Sequence, residues 1–149
     1  MPRTTLVFRL VLPTLWIGFI LALAFIEAPL KFTAPGITIP LGLGIGRLVF
    51  NALAIASWAF LAGMVAVSWS QPRIHRSGWV TLSLLTVVLA VQTWVIRPLL
   101  NARSDIIIAG GDPGDSWLHY GYIATDLMLI GLLVWWLIAV SRRISLASN

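Results

Sequence analysis

Ser116 and His119 lie three residues apart in a segment that also carries Asp112 and Asp115. A hydroxyl, an imidazole and an acid are the side chains of a nucleophilic hydrolase. Nothing nearby supplies an oxyanion hole or a recognisable nucleophile turn, so hydrolysis does not follow from them. Glu27, His119 and Asp126 are metal-ligating types, but their spacing matches no short ligand signature. Tyr120 would support such a site by hydrogen bonding, or serve as an interfacial aromatic. The chain has no Cys, which excludes disulfides, thiolate ligands and a cysteine nucleophile. Gly42, Gly44 and Gly46 imitate a phosphate loop, yet no strand precedes them and no Gly-Lys-Ser/Thr element follows. They read as a tightly packed or flexible entry into a helix.

What remains is a set of polar residues at unusual depth. The 149 residues are 59% hydrophobic and 10% charged, with a mean hydropathy of +0.95. That composition belongs to a membrane protein. Four apolar runs reach the roughly 20 residues a spanning helix requires, at 10–28, 48–69, 79–96 and 122–140. The first, preceded by Arg3 and Arg9, reads as a true span rather than a signal peptide. The expected architecture is all-α: a compact four-helix transmembrane bundle, mostly antiparallel, forming one integral-membrane domain over 1–149.

Charge placement orients it. Arg3, Arg9, Arg73, Arg76, Arg142 and Arg143 fall on one side of the spans; Lys31, Arg47, Arg97 and Arg103 fall on the other. The positive-inside rule makes the first side cytoplasmic, with both termini there, as in a bacterial inner membrane. His75 is then inside and His119 outside, too far apart to be two axial ligands of one haem. All five acids, Glu27, Asp105, Asp112, Asp115 and Asp126, share the outer side. The net charge of +5 is an orientation signal, aided by anionic lipid, and not a nucleic-acid footprint.

Each span directs a polar group toward the outer half. Glu27 closes the first; Arg47 and Asn51 open the second, one turn apart. Gln92 lies about 7.5 Å deeper than Arg97, and Asp126 about 10 Å inward of His119, at a helical rise of about 1.5 Å per residue. Asp126 is the one acid inside a continuous apolar run, where it is costly unless paired, hydrated or protonated. Glu27, Arg47, Asn51, Gln92, Arg97, His119 and Asp126 therefore form the candidate cluster. Three readings are open: a clasp that fixes helix packing, through Glu27–Arg47, Asp126–Arg97 and Gln92–Asn51, a pocket for a ligand, substrate or ion, or interfacial placement without close convergence. Asp105, Asp112 and Asp115 read as loop-solvating acids.

The connections frame that cluster. Residues 29–46 are rich in Pro and Gly yet largely apolar, so they must cap the bundle, line its mouth or form short interfacial structure. Residues 101–118 carry Gly110-Gly111-Asp112-Pro113-Gly114-Asp115, a turn signal. The first and third spans both end at a proline, Glu27-Ala28-Pro29-Leu30 and Arg97-Pro98-Leu99; duplication and simple termination by proline both explain the echo. Gly18/Ala22 and Ala59/Gly63 have the spacing of close helix contacts. Trp16, Trp69, Trp79, Trp94 and Trp117 fit an aromatic belt, whereas Trp135 and Trp136 cannot share one face.

Leu15-Trp16-Ile17-Gly18, the run through Glu27-Ala28-Pro29-Leu30-Lys31-Phe32 and the Gly46–Phe50 entry resemble the TMEM205-like/DUF4149 group of small four-helix membrane proteins. The resemblance covers mainly the first half and implies a compact integral-membrane protein with no catalytic residue to carry over. The expected function is a noncatalytic interaction or accessory subunit within a larger membrane assembly. An ion or small-solute transporter using the outer-half pocket is second, and an enzyme ranks behind both. Expected partners are membrane lipid and another integral-membrane protein or a second copy, with no nucleic acid; the sequence leaves any cofactor unknown.

Overall fold

Apolar runs with no water to satisfy their backbone must become helices, and nearly the whole chain does. In the computed structural model, residues 3–70 and 73–147 are described, with side chains for 4–70 and 73–142. Arg3 and Arg143, two of the bases that orient the chain, therefore have side chains outside the described residues, as do residues 71 and 72 of the basic connection. The elements are α1 (Arg3–Ile20), a π segment (Leu21–Glu27), α2 (Ala28–Leu30), a 3₁₀ turn (Lys31–Thr33), α3 (Ile39–Trp69), α4 (Arg76–Val91), a second π segment (Gln92–Ile96), α5 (Arg97–Ile108) and α6 (Leu118–Ala147). Together they give four long apolar stretches able to cross a membrane, Thr4–Thr33, Ile39–Trp69, Arg76–Ile108 and Leu118–Arg142. α1 packs against α3 and α6, α4 against α6, and α5 against α3.

The helices run beyond the apolar stretches, and the two prolines explain how. A proline inside an α-helix clashes with the carbonyl four residues back and removes a hydrogen bond. In both cases the turn just before it is widened to π geometry: Ala28 N–H bonds Leu23 O, and Arg97 N–H bonds Gln92 O, each five residues back. The widened turn moves the obstructing carbonyl away. Pro29 and Pro98 are thus passed through rather than obeyed as stops, and the echo seen in the sequence extends to the backbone.

A third proline is handled differently. Pro13, inside α1, cannot offer an N–H to Arg9 O four residues earlier. Trp136 of α6 supplies it, its Nε1 donating to Arg9 O at 3.1 Å. Trp136 is 3% exposed while Trp135 is 57% exposed, so the adjacent pair splits between core and outer surface. Trp136→Phe should cost about 1 kcal/mol by removing this bond. The cost should shrink in a Pro13→Ala background, where the backbone regains its own N–H donor at that position. Equal costs in both backgrounds, by reversible unfolding, would show that the indole does not stand in for the N–H that Pro13 lacks.

Elsewhere the core is one cluster that includes Trp16, Ile20, Leu53, Leu61, Leu85, Leu89, Leu129 and Leu133. Trp16 is fully buried and donates to Ser57 Oγ at 2.9 Å. The aromatic-belt reading fails for this residue: its single polar atom finds a partner on α3, so it packs inside. Trp69, Trp94 and Trp117 stay largely exposed. Gly63 lets Leu12 of α1 approach α3, while Gly18 faces open space.

Contacts identify two ends of the bundle. Arg9 reaches Val67 O and Ser70 O at one end. The other end, here called the crown, gathers the residue 31–38 and 109–117 connections with the starts of α3 and α6.

Candidate functional site

The crown is assembled from local rules. Thr38 caps α3 by accepting from Leu41 N–H at 3.3 Å, and Pro40 suits the first turn. Gly42 and Gly46, one turn apart, then leave a groove: a Cβ at Gly42 would strike the Phe32 ring, and one at Gly46 would meet Lys31 Nζ at 3.0 Å. The glycine run is a seat for Lys31 and Phe32, and Gly44 faces open space. On the other side, Gly110 and Gly114 take positive φ, of 84° and 70°. Asp112 Oδ1 accepts from Gly114 N–H, and Arg103 donates to Pro113 O and Gly114 O. Ser116 Oγ accepts from Leu118 N–H at 3.1 Å and so caps the entry to α6.

α6 then carries His119, Tyr122 and Asp126 at helical spacing into the bundle. Asp126 is 1% exposed. Its Oδ1 accepts from Gln92 Nε2 at 2.7 Å, and the same amide nitrogen donates to Thr125 Oγ1 at 3.0 Å. Both hydrogens of the Gln92 amide are thereby used. Gln92 opens the second π segment; Arg97 follows it and donates to Asn51 Oδ1 at 3.2 Å. Arg47 Nη2 donates to Asp105 Oδ1 at 2.6 Å and to Asn101 O at 3.3 Å. Glu27 pairs with Lys31 across one turn at 3.3 Å. The Lys31 side chain is only 9% exposed, with Nζ 5.5 Å from the Phe32 centroid and 5.7 Å from that of Phe50, within cation–π range.

Four of the seven sequence-derived residues, Arg47, Arg97, His119 and Asp126, line one cavity of about 510 Å³. Gln92 holds Asp126 but does not line the cavity, Asn51 is exposed beside Arg97, and Glu27 reaches it only through Lys31. The pairings differ from those expected. Glu27 takes Lys31 instead of Arg47, Asp126 takes Gln92 instead of Arg97, and Asn51 takes Arg97 instead of Gln92. Asp105 pairs with Arg47 where solvation of a loop was expected, because α5 continues past Pro98 and brings it there.

Lys31, Asn101, Ser104 and Tyr122 also line the cavity and were missed. Asn101 and Ser104 lie four and seven residues beyond Arg97, and Tyr122 four before Asp126, so helical periodicity through Pro98 would have found them. Tyr122 meets the Phe50 ring edge-on at 5.2 Å. Among the described residues, no three His, Asp or Glu side chains gather as a metal centre would need.

The charge pattern separates the groups. Lys31 and Arg47 each face a carboxylate, Glu27 and Asp105. Arg97 and Asp126 each face a neutral partner, Asn51 and Gln92. No family model, no curated protein and no solved structure matches the chain.

Proposed function

We propose that this four-helix membrane protein is a noncatalytic accessory subunit, working through contact with another integral-membrane protein or a second copy within a larger membrane assembly. In this reading the helices alternate in direction, both termini are cytoplasmic and the crown faces outward in a bacterial inner membrane. Its place is beside the TMEM205-like/DUF4149 group.

The observation that carries the reading is the closure of the polar cluster. Gln92–Asp126 joins the third apolar stretch to α6, Arg97–Asn51 joins it to α3, and Arg47–Asp105 joins α3 to α5. Links of this kind hold helices in one arrangement, as a structural partner requires. Alternating access would require them to open. Lipid and partner would share the apolar outer surface, where Leu48, Ile55 and Trp94 are 73%, 64% and 66% exposed.

Solute transport is the second reading, favoured by the cavity above Asp126. Purified protein in sealed liposomes, loaded in turn with proton, sodium and potassium indicators, separates the two. The accessory reading expects no flux above empty liposomes, and the same for Asp126→Asn. Reproducible flux that Asp126→Asn abolishes while folding is intact would overturn it.

A further inference from the structure

We infer that the crown cavity is a binding site for an amphiphile bearing an anionic oxygen headgroup, a carboxylate or a phosphate. The inference stands apart from the accessory reading, since a structural subunit and a transporter could equally hold such a molecule.

Size comes first. About 510 Å³ lies within the range of about 300–1,000 Å³ that ordinary small-molecule pockets occupy. The walls are two-sided: Phe25, Leu43, Phe50 and Ile123 make them largely apolar, and Arg47 and Arg97 add guanidinium groups. Such a lining suits a ligand with a hydrocarbon body and one charged end.

The donors set the sign of that end. A guanidinium has five N–H donors in a fork that matches carboxylate and phosphate oxygens two at a time. Among the described residues, Arg97 has no carboxylate within 4 Å, and Asn51 takes only its Nη2. The remaining N–H donors of Arg97 are left to meet a headgroup oxygen that enters the cavity. Lys31, paired with Glu27, and Arg47, paired with Asp105, line the same wall, which leaves Arg97 as the cation without a carboxylate there.

A cationic ligand fits less well. Asp126 is the one acid in the lining, and its Oδ1 is already held by Gln92. A cation seeking it would also face Arg97, whose guanidinium has no carboxylate partner among the described residues.

The location suits a molecule taken from the bilayer. α3 has 31 residues and so is about 46 Å long. Centred on a hydrocarbon core of about 30 Å, it overhangs by about 8 Å at each end. Arg47, eight residues in from Ile39, then lies within about a turn of the boundary where headgroups reside.

The test is equilibrium binding of radiolabelled oleate and, separately, lysophosphatidate to the purified full chain in phosphatidylcholine nanodiscs. Inorganic phosphate and acetate serve as competitors. Saturable binding of either amphiphile is expected, about tenfold weaker in Arg97→Gln and lost in Leu43→Trp, which fills the cavity without changing charge. Arg76→Gln, at the opposite end, should leave binding unchanged. Binding of oleate alone identifies a free carboxylate as the source, and of lysophosphatidate alone a phospholipid head; both sustain the site. If Arg97→Gln fails to fold, Leu43→Trp carries the test. Absence of saturable binding for both amphiphiles, binding of the small anions alone, or wild-type affinity in folded Leu43→Trp would overturn the inference.

Discussion

Gln92→Leu should destabilise the protein by about 2–3 kcal/mol, because it strands a buried carboxyl group. Interhelical hydrogen bonds in membranes are worth only about 0.6 kcal/mol on average and about 1.7 at most. That figure describes the exchange of one partner for another. Here the acceptor left behind is Asp126, 1% exposed, and Gln92 is its hydrogen-bond donor at 2.7 Å. The cost of an orphaned polar group therefore outweighs the modest net worth of the bond. Removing both partners should reverse most of the loss, since Gln92→Leu with Asp126→Leu puts apolar groups in place of a polar pair. Reversible unfolding in mixed micelles, read as a double-mutant cycle, measures the coupling. A double variant no more stable than Gln92→Leu alone would mean that the pair does not clasp the helices.

Trp16→Ala should cost more, about 3–5 kcal/mol, the range for emptying a buried aromatic site. Trp16 is fully buried, stacks on Phe60 with ring centroids 6.3 Å apart and reaches Ser57 through its indole N–H. Trp16→Phe retains most of the volume and loses the donor, so about 1 kcal/mol is expected. The gap between the two separates packing from hydrogen bonding, and the same unfolding measurement reads it. Similar costs would show that the Ser57 bond, not the ring, dominates. A belt tryptophan would give neither loss.

Hydropathy revealed the four apolar helices because each run is long, nearly uncharged and bounded by bases or turn residues. The separation of Trp135 from Trp136 was equally legible, since adjacent helical residues point about 100° apart. The crown was less so, for one local reason. Pro98 reads as a helix end, yet the π turn at Gln92–Ile96 carries the helix through to Ile108. That continuation puts Asn101 and Asp105 on Arg47 and Ser104 in the cavity wall, where a loop was anticipated. The choice among Lys31, Arg47 and Arg97 as partners depends on helix rotation and on the groove at Gly42 and Gly46. Charge type and depth do not encode that rotation. Trp16 shows the same limit: its position near a boundary is visible in sequence, but the Ser57 hydroxyl that draws it inward is not.

If the bundle works as one part of a larger membrane assembly, as proposed, the mass of the native particle will reveal it. The protein would be extracted from its own membrane with a nanodisc-forming polymer, without detergent, and its polypeptide content weighed by native mass spectrometry. The expected particle holds further integral-membrane polypeptide, another protein or a second copy, in fixed ratio to the 16.3 kDa chain. A uniform population of single chains accompanied only by lipid would contradict it.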